Sequence, residues 1–184
     1  KKKEKEKKQE ETAQVETQIE EVEAPSPAEI TPIEHATAVI EWDDNTIYID
    51  PVGGKAAFEG QPSPDMIFIT DIHGDHFNPE TLNELDLEGV EIIAPDAVKS
   101  QMDEALSSKT TIMNNGETKE ISGFSVKAIP MYNLPEDETS RHTKGRGNGY
   151  ILTMGGKKVY FSGDTEDIPE MAIKMFSYKG EVVL

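Results

Sequence analysis

From residue 36 onward, short apolar runs alternate with turn-forming residues, and the runs are strand-sized. Thr37-Ala38-Val39-Ile40-Glu41-Trp42 and Thr46-Ile47-Tyr48-Ile49-Asp50 flank Asp43-Asp44-Asn45, a pattern that predicts a β-hairpin. Pro51-Val52-Gly53-Gly54 reads as a loop. The run Met66-Ile67-Phe68-Ile69, closing at Thr70, predicts a buried strand. Asn78-Pro79-Glu80 predicts a helix start, with Asn78 as the cap and Pro79 in the first turn, running to about residue 85 or 87. Residues 90–94 read as a strand, and residues 96–106 carry helical spacing at Val98, Met102 and Leu106. Strands are expected at 110–113, 118–121 and 124–129, punctuated by Asn114-Asn115-Gly116 and Ser122-Gly123. Residues 150–154 and 157–162 predict a last hairpin across Gly155-Gly156, and Ile168-Pro169-Glu170 opens a helix expected over 170–176. Strands dominate, with helices inserted between some of them. The pattern therefore predicts an α+β fold with a sheet-on-sheet core and outer helices.

Composition narrows the function. The chain has 184 residues, which suits one domain plus a tail. Its net charge of −18 repels phosphate backbones, so nucleic acid is not an expected partner. With no cysteine, disulfides, thiolate ligands and iron–sulfur clusters are excluded, and any metal must be held by His, Asp, Glu or Asn. Only four histidines are present: His35, His73, His76 and His142. No apolar stretch reaches transmembrane length. Residues 1–32 open on a mixed Lys/Glu run and contain little that could form a core, so a disordered charged tether is expected there, with the domain at 33–184. The chain begins with Lys, and a charged tether at such a start is similar to the segment after the lipidated cysteine of a bacterial lipoprotein. A signal peptide, a lipid upstream of Lys1 that tethers the protein to a membrane, and a place in the cell envelope or periplasm are the matching expectations. The cytoplasm is the alternative.

The chemistry concentrates at Thr70-Asp71-Ile72-His73-Gly74-Asp75-His76, directly after the predicted strand of residues 66–70. Imidazole nitrogen with carboxylate oxygen is a ligand mix that zinc and similar divalent cations accept. Asp71, His73 and Asp75 alternate, so in an extended segment they project to one side. His76 needs a turn to join them, and Gly74 supplies the freedom for it. The plainer alternative is a polar loop whose acids cap the helix at Asn78.

This segment closely resembles the His-x-His-x-Asp-His signature of the metallo-β-lactamase superfamily, with Asp71 in place of the first His. Glu34-His35-Ala36-Thr37, before a hairpin ending Tyr48-Ile49-Asp50-Pro51, resembles the opening of the branch related to ascorbate-phosphate lactonases. Tyr160-Phe161-Ser162-Gly163-Asp164-Thr165 is similar to the superfamily's strand ending in a metal-bridging Asp. The resemblance implies an αββα sandwich. It implies His73, with Asp71, at a first metal, Asp75 and His76 at a second, and Asp164 bridging both. Asp75 and His76 would be the catalytic pair. Asp71 adds a hard anionic oxygen, so the expected ion is zinc, with manganese or iron also compatible, in one or two copies. The superfamily's third His is not in its usual place: Met131-Tyr132-Asn133 stands there, and His142 follows later. His142 either supplies the absent imidazole, contacts substrate, or is an exposed loop histidine. Asn133 offers a weak carbonyl oxygen. His35 lies beside the metals in the lactonase-like branch, or is an ordinary half-buried histidine. Asp50 is expected to orient a ligand His rather than to bind metal.

Further expectations follow. The superfamily has two similar halves, and its last metal-binding His comes from the second, so this chain reads as truncated or incomplete at its carboxyl terminus. Lys144 and Arg146, set among Gly145 and Gly147 in a very acidic chain, suggest capture of an anionic small-molecule substrate, or a solvated turn. The implied activity is that of a metal-dependent hydrolase, in which a metal-bound hydroxide attacks an ester, lactone, amide or phosphoester. The alternative is a catalytically degenerate binding module that keeps the scaffold.

Overall fold

The computed structural model describes residues 28–171. Most of the expected tether, and the expected helix at 170–176 beyond its first residues, lie outside the described residues.

Among the described residues, ten strands form two sheets. The first holds β1 (Glu29–Glu34), β2 (Thr37–Trp42), β3 (Asn45–Ile49), β4 (Met66–Phe68), β5 (Glu91–Ala94) and β6 (Thr110–Ile112), in that spatial order. Its early pairs are antiparallel, whereas β3 through β6 run parallel. The second sheet is antiparallel, with β7 (Thr118–Ile121), β8 (Phe124–Met131), β9 (Gly147–Met154) and β10 (Lys157–Phe161) in the order β10-β9-β8-β7.

The period of two along each strand sorts side chains between two cores. Ile40, Trp42, Ile47, Ile49, Met66, Phe68 and Ile93 face inward and meet Phe124, Val126, Ala128, Tyr150 and Leu152 of the second sheet. Their neighbours Val39, Tyr48, Ile67, Ile69 and Ile92 face outward, where Leu82, Val98 and Leu106 cover them. These last three belong to helices α1 (Pro79–Glu84), α2 (Asp96–Lys99) and α3 (Glu104–Ser108). Strand β4 is thus buried on both faces, which is why its sequence is an unbroken apolar run. Each such side chain contributes about 1.5–3 kcal/mol by leaving water.

Several boundaries differ from the sequence expectation. Strand β1 begins at Glu29, so ordered structure starts inside the stretch expected to be tether. It is an edge strand, where Pro32 is tolerated because one side of its backbone needs no partner, and its register shifts between Pro32 and Glu34. The helix expected over 96–106 is two helices. Asp103 caps α3 by accepting from the Leu106 amide at 2.9 Å, and that local bond outweighs the continuous apolar spacing. Strand β9 starts at Gly147 rather than residue 150. A Cβ on Gly147 would strike Met131 and lie 2.9 Å from the Thr70 carbonyl oxygen, and one on Gly149 would lie 2.8 Å from the Ser162 carbonyl oxygen, so these two glycines mark close backbone approach rather than a loop.

Candidate metal centre

Parallel pairing of β3 with β4 brings their carboxyl ends together, so Asp50 and Thr70 emerge side by side. The Asp50 amide donates to the Phe68 carbonyl at 2.8 Å. Asp50 is buried and holds a positive φ of 44°, which aims its carboxylate back across the strand ends. Its Oδ1 accepts from the Thr70 amide at 2.7 Å, and its Oδ2 from the Thr70 hydroxyl at 2.6 Å. The same Oδ2 lies 2.8 Å from His76 Nδ1. The amides of His76 and Phe77 both donate to the His73 carbonyl, at 2.9 and 2.8 Å, and this turn swings His76 inward.

The second sheet supplies the opposite wall. Asn148, at the start of β9, donates its amide to the Thr70 carbonyl at 2.9 Å and its side chain to the Met113 carbonyl at 2.7 Å. The Tyr150 hydroxyl donates to the Ile69 carbonyl at 3.1 Å. These bonds fix the loop after β4 against the second sheet. They hold it where Asp164, past the end of β10, and His142, between β8 and β9, can reach it.

Six donor groups result, in two clusters: Asp71, His73 and His142, and Asp75, His76 and Asp164. Within each, one ligand atom per residue lies within 4.8 Å of the others. In the first, Asp71 Oδ2 is 2.7 Å from His73 Nδ1, and His73 Nδ1 is 3.2 Å from His142 Nε2. Asp164 Oδ2 lies 3.2 Å from His76 Nε2 and 3.3 Å from His142 Nε2, between the two clusters. These donors fit divalent cations: two His/Asp sets share one carboxylate, and their nitrogens and oxygens converge.

Two partners set the imidazole orientations. Asp50 takes His76 Nδ1, which leaves Nε2 toward Asp164. Asn133 Oδ1 lies 2.9 Å from His142 Nδ1 and accepts from the His142 amide at 3.1 Å, so Nε2 faces the cluster. Asn133, expected as a weak ligand, is thereby placed behind His142. His142 is buried rather than exposed. His35 is not brought to either cluster. Its side chain is 69% exposed at the β1–β2 turn, on the rim of a cleft of about 710 Å³ whose lining includes His76, Asp75 and Asp164.

Charge follows from these contacts. Burial disfavours charge on His76, but the hydrogen bond to Asp50 and the charges of Asp50, Asp164 and Asp75 outweigh it and raise its pKa to about 9. Burial raises the Asp50 carboxyl above the usual range, against the pull of His76 and Thr70. Burial lowers His142 below the usual imidazole value, and the Asp71 and Asp164 charges only partly offset this. Burial pushes the Asp75 carboxyl up, but the hydrogen bond from its own backbone amide and the charges of His76, Arg141 and His73 outweigh it and hold it below the usual carboxylate range.

The basic loop departs from its expected role. Lys144 pairs with Glu170 at 2.9 Å and Glu136 at 3.2 Å, and lies over the Tyr132 ring. Arg146 forms a two-pronged bond to Asp71, Nε to Oδ1 at 3.2 Å and Nη2 to Oδ2 at 3.1 Å. Anion capture by this loop therefore requires breaking one of these pairs. Thr70 and Arg146 as partners of the cluster, and Asn148 as a clamp, were not foreseen. Gly147 and Gly149, flanking Asn148, were the available signal of a tightly approaching backbone.

A mixed sheet packed on an antiparallel sheet, with helices outside and a two-cluster His/Asp site on loops at one end, defines a protein of the metallo-β-lactamase fold. The chain belongs to the Beta-lactamase superfamily domain family, whose model matches residues 29–184. A metal-dependent hydrolase of Thermococcus kodakarensis is 31% identical, with 76% of this chain and 62% of the relative covered. A solved protein of Parabacteroides distasonis named as a metal-dependent hydrolase is 37% identical with a TM-score of 0.70, covering 78% of this chain and 64% of that one. The metallo hydrolase Igni18 of Ignicoccus hospitalis shares the fold at 21% identity, with a TM-score of 0.67 and coverage of 85% and 70%. The chain spans about three fifths of the length of the curated relatives it matches.

Proposed function

We propose that this chain carries the metal-binding part of a metal-dependent hydrolase acting on a small-molecule ester, lactone, amide or phosphoester. The observation that carries the reading is the convergence of two His/Asp clusters, each with a buried histidine, on one shared carboxylate, Asp164. Asp71, His73 and His142 would hold one divalent cation, and Asp75, His76 and Asp164 another. The oxygen-rich set favours zinc, manganese or iron. Bound there, such an ion lowers the pKa of water and stabilises negative charge on oxygen.

The chain's own groups do the rest. Asp50 and Thr70 fix the His76 ring, and Asn133 fixes that of His142. Asp75 stays ionised at neutral pH and is exposed toward the cleft, so it can orient a water and accept its proton. Asp164 is 41% exposed at the cleft wall, where substrate enters.

The test is elemental analysis of the full chain purified without chelator, followed by turnover of p-nitrophenyl esters, lactones and bis-p-nitrophenyl phosphate. One or two transition-metal ions per chain, with turnover lost in His73→Ala and in Asp164→Ala, is the expected result. No metal, and no gain in melting temperature on adding zinc or manganese, supports the degenerate binding module instead.

A further inference from the structure

Asp71 stands where the superfamily's signature has a histidine, and it is fully buried. Replacing a neutral imidazole by a carboxylate adds one negative charge to the cluster. Arg146 returns a positive charge at the same spot. Its Nε and Nη2 bond to both Asp71 oxygens, and Nη2 also donates to the Arg141 carbonyl at 2.6 Å. The pair is well shielded, with the arginine side chain only 20% exposed. The Asp71 oxygen held by Nη2 is the one that faces His73, at 2.7 Å, and His142, at 3.7 Å. A cation taken up by this cluster must share that oxygen with the guanidinium. The other cluster has two carboxylates: Asp164 lies against His76 and His142, and Asp75 feels the charges of His76, Arg141 and His73, but neither is held by a two-pronged guanidinium as Asp71 is.

We infer that Arg146 is an internal competitor for the cation at the Asp71–His73–His142 cluster, making it the weaker and second-loading of the two. This rests on the metal-centre reading given above. A guanidinium bonded to both oxygens of a ligand carboxylate withdraws charge from it, and like charges at close range in a shielded site repel strongly. Without a cation, the same bond spares the protein an unpaired buried carboxylate. One arginine therefore keeps the metal-free cluster folded and lowers its affinity for metal. Arg146 is a specificity-determining and positioning residue here, not a catalytic one.

The experiment is a Zn²⁺ titration of the metal-free full chain by competition with a chromophoric chelator, for wild type, Arg146→Gln and Arg146→Lys. Two unequal steps are expected for wild type, and His73→Ala should delete the weaker one. Arg146→Gln keeps a polar stem without the charge. It should tighten the weaker step by about tenfold or more while leaving the tighter step within about threefold. Arg146→Lys restores the charge and should bring the weaker step back toward wild type. Arg146→Gln should also lower the melting temperature of the metal-free chain, and zinc should restore it. A merely structural role predicts the opposite sign, a weaker step that weakens further, and that result or an unchanged step overturns the inference. If wild type binds no zinc at either cluster, the metal-centre reading itself fails and takes this inference with it. If wild type binds zinc in two steps that ignore Arg146, only this inference fails.

Discussion

Asp50→Asn is the perturbation with the most to say about the site. It is nearly isosteric, so the buried volume is unchanged, but it exchanges one acceptor oxygen for a donor. The remaining oxygen keeps the Thr70 amide, now bonded at 2.7 Å. The new amide group then faces the Thr70 hydroxyl and His76 Nδ1, which lie 2.6 and 2.8 Å from Asp50 Oδ2. Two donors cannot face each other, so His76 must give up its Nδ1 proton and keep its remaining one on Nε2. That nitrogen is the one aimed at Asp164, 3.2 Å away, and once protonated it cannot bind a cation. Loss of a partner behind a ligand histidine weakens metal binding by about 10- to 100-fold, about 1.4–2.8 kcal/mol. The charge-assisted bond to His76 also goes, at about 1.5–3 kcal/mol of stability in the metal-free protein. Zinc competition titrations and denaturant melts on the same preparations measure both. A step loading the Asp75–His76–Asp164 cluster that stays within threefold of wild type would refute the argument that Asp50 sets the His76 tautomer.

Other outcomes follow from the same geometry. Zinc uptake at pH 7.5 should release about one proton per chain, because His76, with its pKa near 9, is charged until a cation replaces the proton. Calorimetry in buffers of different ionisation enthalpy reads this, and no release would contradict it. In the metal-free chain, the stabilisation from charged His76 is complete below pH about 6.5, the ordinary imidazole value, and is lost as pH rises through about 9, visible in denaturant melts across that window. Gly163→Ala should cost about 2 kcal/mol, lowering the melting temperature by about 4–8 °C, since its φ is +63° and the new Cβ would lie 2.5 Å from Met131 Sδ and 3.1 Å from Thr70 Cβ. Glu166→Ala should weaken the zinc step that needs His142 by less than Asp164→Ala does. Glu166 reaches the cluster indirectly, by accepting from Asn133 Nδ2 at 3.2 Å and from the Leu134 amide at 3.1 Å, and equal losses would show otherwise.

Much of the fold was legible because period-two alternation and an apolar run are local signals. The hairpin of residues 37–50 and the buried strand before the His/Asp segment both follow from them. Strand β1 was hidden because Glu29, Thr31, Pro32 and Glu34 read as polar and broken, and only pairing with β2 makes them a strand. The single helix expected over 96–106 failed because side-chain capping by Asp103 competes with apolar spacing. At the candidate site, four of the six clustered His and Asp side chains sit in one short readable segment, whereas their pairings were not readable. Asn133 behind His142, and Arg146 on Asp71, join residues far apart in the chain, and no local pattern encodes such meetings.

Asp71, His73, Asp75 and His76 hang from the first sheet, and His142 and Asp164 from the second. An ion seated among them is therefore a rivet through the sandwich. Chelation should loosen the seam between the two layers at that end before it touches either layer's own ladder. Amide exchange would show it as faster protons at the tips of β4 and β9 together, while the hairpin of β2 and β3 keeps its pace.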